Sequence, residues 1–467
     1  MFTKKMKHEQ GVETIAAIAT PLGVGGVGII RASGPGALDL ANRIFVPACA
    51  SFAGVKPYRL HHGWIRTETG RTVDEVLISF MPGPGSYTGE DVLEINCHGG
   101  PAVIEEILGM CLSSGCRMAE PGEFTKRALL NGRMDLSQAE SVLEVINART
   151  SSSLAFAQEK LSGALRENIN VLTRELEYLR RQFCLAVDFP EEDLECFPEE
   201  FFFERLGYCL DSIRTLIANY DRASVWKDGA MVALAGRVNA GKSSLMNCML
   251  GRQRSIVTEI AGTTRDYIEE EINVRGLPLR LVDTAGLRDS EDVVEQAGVE
   301  RCRELILEAD VLLLVIDSTI GVHDEDLRII DDYSGKKVLV AANKSDLADH
   351  APLNPSSFEK DPKHIINVSA KTGEGVENLL SSLRGLLVGD RSEPESGIVV
   401  PNARQKDNLK KAAAELEGLL RDFKQGIPFD LLGTRLDCAC DFLSAITGEI
   451  VHEDILNSIF DNFCIGK

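Results

Sequence analysis

The segment Met231-Val-Ala-Leu-Ala-Gly236-Arg-Val-Asn-Ala-Gly241-Lys242-Ser243 decides the fold of this chain. The apolar run Met231–Ala235 reads as a buried strand, and the residues after the segment, Ser244–Met249, read as helix. Between them stands Gly-x-x-x-x-Gly-Lys-Ser, a turn in which backbone N–H groups close around phosphate at a helix N-terminus. Nucleotide contacts are therefore expected from Asn239, Ala240, Gly241, Lys242, Ser243 and Ser244. Lys242 would reach the β and γ oxygens during catalysis, and the Ser243 hydroxyl would ligate Mg²⁺. A glycine turn arising by chance has no reason to carry a strand on one side and a helix on the other.

Downstream, the apolar strands Leu279–Val282, Val311–Asp317, Val338–Ala342 and Ile365–Val368 alternate with helical stretches, which implies a mostly parallel sheet. Ligands bind such a sheet at the C-terminal ends of its strands, and three polar segments sit there. Asp283, Thr284, Ala285 and Gly286 follow the second strand; Asp283 would hold Mg²⁺ through water, and Gly286 would offer its N–H to the γ-phosphate. Asn343, Lys344 and Asp346 follow the fourth, where the Asp346 carboxylate can accept hydrogen bonds from N1 and N2 of guanine. Adenine lacks those donors, so the expected nucleotide is GTP. Ser369, Ala370 and Lys371 follow the last strand and would close over the base. The residue after Gly286 is Leu287, where Ras-type enzymes use a water-orienting Gln. Leu287 cannot polarise water. Glu295 is a candidate for that task, and equally one more solvated acid in the stretch 291–295.

Outward from this unit the texture is helical. Ser137 and Glu140 read as a capping box, after which Leu161, Leu165, Ile169, Leu172, Leu176, Leu179 and Phe183 recur as one long amphipathic helix ending at Asp188-Phe-Pro190. A second helix is expected over about 199–222, and two more stripes run from Leu409 to Phe423 and from Leu432 to Ile446. Neither pair buries its stripe well alone. The pairs should therefore pack together as a discontinuous helical domain, 131–228 and 388–467, with the GTPase domain, 229–387, inserted and the polar 389–397 as linker. In the remaining N-terminal domain, 1–130, Gly23-Val-Gly-Gly-Val-Gly28 matches a dinucleotide fingerprint. The residues after it, Ile29-Ile30-Arg31, continue as strand rather than opening a helix, so a glycine loop between strands is expected. Cys97-His98 lies at a strand end, where neighbours face opposite sides, and reads as a strand followed by a glycine turn.

The length, 467 residues, suits about three domains. Lys plus Arg number 50 against 71 Asp plus Glu, a net charge of −21. Of this, residues 1–130 contribute 12 − 13 = −1 and residues 131–467 contribute 38 − 58 = −20. No basic stripe is visible, so any RNA partner would be gripped largely by another subunit. No run reaches the length of a membrane span and no apolar segment follows the basic opening residues, so a cytoplasmic protein is expected. The 12 Cys residues contain no C-x-x-C pair, which argues against zinc and a redox dithiol. The terminal Cys464-Ile-Gly-Lys467 is no prenylation box, because Gly is not aliphatic and Lys is not a recognised last residue.

Taken with Tyr87-Thr-Gly-Glu-Asp-Val-Leu-Glu94, His98-Gly-Gly, Pro121-Gly-Glu-Phe and the terminal Cys-Ile-Gly-Lys, the whole chain resembles the bacterial MnmE (TrmE) family of tRNA modification GTPases. The resemblance implies a multidomain α/β plus all-α protein: an N-terminal α+β folate-binding and dimerisation domain, a discontinuous helical domain and an inserted Ras-like P-loop GTPase domain. It implies a homodimer working with a flavoprotein, MnmG, which carries FAD, to add a carboxymethylaminomethyl group to C5 of a tRNA wobble uridine. The one-carbon donor would be 5-formyl- or methylene-tetrahydrofolate, held by Arg31, Glu94, Arg133 and Lys467. By the same resemblance Mg²⁺ falls on Ser243 and Thr264, and K⁺ on Asn239, Thr258, Ile260 and Thr263. Glu295 falls at the catalytic acid and Cys464 at the functional tail thiol. Val238 departs from the Pro usual before the Asn. Two rival readings fit less well: a ribosome-maturation GTPase predicts a basic RNA-binding appendage, and a folate-dependent aminomethyltransferase leaves the nucleotide motifs idle.

Overall fold

The computed structural model describes residues 13–21, 23–188, 199–253, 269–283, 303–333, 335–347, 353, 358, 365–389, 397–450, 453–461 and 463–467. By contact the chain divides into two compact units. One comprises Met1–Leu143, Lys160–Arg214 and Asn402–Lys467; the other comprises Glu144–Glu159 and Thr215–Pro401.

The first unit opens with β1 (Ile15–Ile18) and β2 (Gly28–Ser33), α1 (Ala37–Ile44), β3 (Phe45–Pro47), β4 (Leu60–Arg66), β5 (Thr72–Met81) and β6 (Val92–Cys97). α2 (Pro101–Ser113), β7 (Arg117–Met118) and α3 (Glu123–Leu130) follow. The strands form one sheet of order β3-β4-β5-β6-β2-β1-β7, antiparallel except for the β1–β7 pair. β1 and β2 are antiparallel neighbours, so the glycine-rich 23–28 stretch is a loop between strands and opens no helix. Ile30, Ala32, Leu93 and Ile95 bury one face of the sheet against Leu40 and Ile44 of α1 and Ile104 and Ile107 of α2. Because side chains alternate along a strand, Arg31 and Glu94 point from the opposite face, and they are direct partners in the β2–β6 register.

Four helices follow: α4 (Leu136–Asn147), α5 (Ser151–Leu161), α6 (Ala164–Asp188) and α7 (Glu199–Asp228). The expected single long helix is broken, because Gly163 adopts φ +96° and ends α5 after Leu161. Only Leu165 through Phe183 share the α6 stripe, and all of that stripe is buried. The capping box is also shifted. Asp135 Oδ1 accepts the Gln138 N–H at 2.9 Å, and Gln138 Oε1 accepts the Asp135 N–H at 3.0 Å. A carboxylate at the cap bonds the third residue on, which makes Asp135 and Gln138 the box in place of Ser137 and Glu140. Glu140 is thereby free to turn elsewhere, toward Arg404 and Gln405.

In the second unit β8 (Ala230–Ala235) leads into α8 (Lys242–Gln253), β9 (Glu269–Val274), β10 (Leu277–Asp283), β11 (Val311–Asp317), α9 (Asp324–Asp332), β12 (Lys337–Asn343), β13 (Ile365–Asn367) and α10 (Val376–Val388). The sheet order is β13-β12-β11-β8-β10-β9. Every pair is parallel except β9–β10, so β9 is an antiparallel edge that the sequence reading omitted. Its Glu269-Glu-Glu opening lacks the apolar run that marks the buried strands. Chain order reverses direction at β8, the topological switch point of a doubly wound sheet.

The chain closes with α11 (Ala403–Lys424), α12 (Phe429–Thr447) and α13 (Glu453–Phe460). The Leu409, Leu416, Leu432, Leu436 and Leu443 stripes are buried, and Phe202 stacks on Phe423 with centroids 4.2 Å apart. Arg180 of α6 reaches Asp437 of α12 at 2.8 Å. Arg404 grips Glu140 through Nε at 2.6 Å and Nη2 at 2.9 Å and donates Nη1 to the Ala445 carbonyl at 2.8 Å. Glu140 is buried and Arg404 partly exposed, so Arg404→Ala leaves a buried charge with the neutral Gln405 amide in place of its cation. The expected cost is about 2–3 kcal/mol, discounted for the exposed side. Chemical denaturation of the full chain measures this; an unchanged midpoint would mean Glu140 finds other partners.

Candidate functional site

The nucleotide site is assembled from the C-terminal ends of β8, β10, β11, β12 and β13. β8 is buried along its whole length, which fixes the start of the Gly236–Lys242 loop. Gly236 takes φ +137°, and a Cβ there would lie 2.2 Å from the Val315 carbonyl oxygen. Gly241 takes φ +91°, and a Cβ would lie 2.4 Å from Asn343 Nδ2. Both glycines are thus demanded by backbone conformation and by close approach. Lys242 folds back on its own loop, donating to the Gly236 and Arg237 carbonyls at 2.9 Å each. Those carbonyls hold the ammonium beside the space the phosphates would take. Asn239 stands at the exposed loop tip with φ +64°, next to Val238, which is 76% exposed. Ala240 is buried and Ser244 exposed at the first turn of α8.

The Ser243 hydroxyl donates to Asp283 Oδ2 at 2.7 Å, and Asp283 is buried at the end of β10. A hydroxyl and a carboxylate so placed are the hard oxygen donors that Mg²⁺ takes, directly or through water. The Ser243 and Asp283 oxygens fit that ion.

The base loops are wired to the phosphate loop. Asn343 donates Nδ2 to the Ala240 carbonyl at 2.9 Å and accepts the Ala370 N–H at 3.0 Å. Ser369 donates to Asp346 Oδ1 at 2.7 Å, a bond that holds the Asp346 carboxyl below the usual carboxylate range. Asp346 is exposed in the loop that follows β12. Ser369 also accepts the Thr372 N–H at 3.1 Å, shaping the turn that carries the exposed Lys371. Lys344 takes φ +67° and pairs through Nζ with Asp317 Oδ2 at 2.6 Å. Asp317 did not figure in the sequence reading, although it ends its strand as Asp283 does. Thr258, Ile260, Thr263, Thr264, Thr284, Ala285, Gly286 and Glu295 lie outside the described residues.

A second cluster lies on the open face of the N-terminal sheet. Arg31 Nε meets Glu94 Oε1 at 2.9 Å, and Arg31 Nη1 donates to the Gly466 carbonyl at 3.2 Å. The guanidinium sits 5.6 Å from the Tyr87 ring centroid and 5.8 Å from that of Phe124. Lys467 is half-buried beside them; burial, then the Arg31 charge, push its ammonium down against the opposing pull of Glu94. Residues from both ends of the sequence thus share one cradle of two cations and one carboxylate. Gly466 makes this possible, because its φ is +101° and a Cβ would lie 2.1 Å from the Ile18 carbonyl oxygen. Arg133 is exposed, with its stem packed at the Gly89 turn. That turn is tied to β2 through the hydroxyls of Thr88 and Ser33, 2.8 Å apart. The Cys464 thiol is exposed, and its carbonyl accepts the Lys467 N–H at 3.3 Å. Tyr87 and Phe124, which flank Arg31, belong to the quoted family motifs but were not singled out as site residues.

A phosphate loop, a buried magnesium-type carboxylate and an Asn-Lys-x-Asp base loop on one doubly wound sheet define a P-loop GTPase. Residues 14–133 match the family described as GTP-binding protein TrmE N-terminus, and residues 136–464 match the MnmE helical domain. The tRNA modification GTPase MnmE of Nitratidesulfovibrio vulgaris is 48% identical over 99% of this chain and 100% of its own length. That of Carboxydothermus hydrogenoformans is 41% identical over 97% of this chain and 99% of its own. Among solved structures, Era of Aquifex aeolicus bound to GDP and aluminium fluoride is 28% identical, covering 40% of this chain and 66% of that one, with a TM-score of 0.29. The chain belongs to the MnmE family of tRNA modification GTPases. Among the described residues, no helix is long and apolar enough to cross a membrane.

Proposed function

We propose that this GTPase modifies C5 of the wobble uridine of certain tRNAs, adding a carboxymethylaminomethyl group with a tetrahydrofolate one-carbon donor and a flavoprotein partner, MnmG, carrying FAD. The proposal divides the chain into a folate-binding and dimerising part, 1–130, a helical part, 131–228 and 388–467, and the GTPase part, 229–387. It works as a cytoplasmic homodimer. The observation that carries the folate reading is the cradle of Arg31, Glu94 and Lys467. Folate presents a glutamate carboxylate for cations and a pterin edge whose N–H groups suit a carboxylate. Arg133 would add charge from the Gly89 turn, and the exposed Cys464 thiol lies in the same tail. GTP binding rests on Lys242, Ser243, Asp283, Asn343, Asp346 and Ser369. The deciding experiment removes the chain from cells that retain the flavoprotein. Wobble uridines should then lose the modification, and unchanged tRNA would sink the proposal.

The tail gives a sharper test. Gly466→Ala should lift the tail off β1, withdraw Lys467 from Arg31 and Glu94, and weaken 5-formyltetrahydrofolate binding about tenfold or more. Arg31→Ala with Arg133→Ala should do the same. In each case GTP turnover should persist, because the altered residues lie outside the nucleotide loops. Calorimetry showing parental folate affinity in both proteins would move the site elsewhere.

A further inference from the structure

We propose that Asp317 is a positioning residue of the nucleotide site, acting through Lys344 to set how long a guanine nucleotide stays bound. This rests on the reading of Asn343 to Asp346 as the base loop. Asp317 and Asn343 are register partners at the ends of β11 and β12, so the carboxylate stands at the root of that loop. Its Oδ2 lies 2.6 Å from Lys344 Nζ. Its Oδ1 accepts both the Thr319 N–H at 3.0 Å and the Thr319 hydroxyl at 2.7 Å. The side chain is 11% exposed against 33% for that of Lys344. Burial works against its charge, yet the bonds from Lys344 and Thr319 outweigh burial and hold the carboxyl below the usual carboxylate range.

Lys344 needs such a partner. Its backbone occupies the left-handed region at φ +67°, which a non-glycine residue adopts only where its surroundings hold it. Its side chain is long, and an unanchored lysine regains rotamer freedom in water. The adjacent Asn343 binds the phosphate loop and Ala370, and Asp346 is held by Ser369. Asn343, Lys344 and Asp346 are thus each held by a bond from outside the loop, and for Lys344 that bond comes from Asp317. Lysine held in place before the base arrives loses less entropy when it binds.

The test measures release of a fluorescent N-methylanthraniloyl-GDP from the full chain by stopped flow. Asp317→Asn keeps the shape and removes the charge; Lys344→Met removes the partner and keeps the stem. Each should speed release about tenfold or more, and the double variant should release no faster than Lys344→Met alone. Thr319→Val leaves both charges in place and loosens only the carboxylate; it should speed release by a smaller factor, and that factor should vanish beside Lys344→Met. Parental release rates in Asp317→Asn, or effects that multiply in the double variant, would overturn the proposal. Equal binding of GDP and ADP by the unaltered chain would instead defeat the base-loop reading, which separates the two failures.

Discussion

Asn in place of Asp346 should turn the site from guanosine to xanthosine nucleotides. The carboxylate is oriented by the Ser369 hydroxyl at 2.7 Å, and its two oxygens keep lone pairs to accept the N1 and N2 donors of guanine side by side. Xanthine carries a carbonyl where guanine carries its amino group. An Asn amide can donate to that carbonyl, whereas the carboxylate repels it. A site built around a specific hydrogen bond rejects the mismatched partner by large factors, because groups are left unpaired on both sides. The expected result is a loss of GTP affinity by roughly a hundredfold or more, with a gain for XTP that restores turnover. The fold constrains the failure mode: Ser369 is buried and can still donate to the Asn carbonyl oxygen, so the loop should keep its shape. Competition binding with GTP, XTP and ATP measures the switch. An Asp346→Asn protein that still prefers GTP over XTP would show that base choice is made elsewhere.

The nucleotide site was legible in sequence because its chemistry is local. A phosphate loop needs glycines at fixed spacing, and Gly236 and Gly241 are where the backbone turns left-handed and lies closest to Val315 and Asn343. Strand ends were equally readable: Val311–Asp317 was expected and found, since an unbroken apolar run has few other uses. Pairings between distant residues left no such mark. Nothing in the spacing of Glu140 says that it will meet Arg404, 264 residues on. A Ser-x-x-Glu box was the nearer explanation, and it yielded to Asp135 because an aspartate was available two residues earlier, just before the helix begins at Leu136. The same holds for Asp317, whose value lies in the neighbouring strand. The long-helix reading failed at Gly163 for a different reason. The apolar period carries across a two-residue break, since Leu161 and Leu165 are four apart on either side of it. Periodicity alone therefore cannot see the turn.

The other large effect concerns hydrolysis without a Ras-type Gln. Leu287 offers no polar group to hold water, so the transition state must be met chiefly by positive charge placed against the phosphoryl oxygens. Lys242 supplies one such charge, already held by the Gly236 and Arg237 carbonyls. Asn239 stands at the exposed tip of the same loop in a left-handed conformation, where its side-chain oxygen can serve as one ligand of a monovalent cation. By family resemblance that cation would be K⁺, with Thr258, Ile260 and Thr263 expected to complete its shell and Glu295 to orient water. When bound it would add positive charge beside the phosphates. The chain's own contribution is the fixed loop, its asparagine oxygen and an exposed Val238, which two GTPase domains meeting face to face would cover. Turnover should therefore be faster in KCl than in NaCl by tenfold or more, because the smaller Na⁺ should fill such an oxygen shell poorly and the charge is then missing from the transition state. Asn239→Ala should keep nucleotide binding and lose most of the K⁺ response. Glu295→Ala should keep the K⁺-dependent association of GTPase domains with a transition-state mimic and hydrolyse slowly. Equal rates in the two salts at matched ionic strength would remove the cation from the reaction, and the acceleration would then have to come from the chain's own cations, with Lys242 first among them.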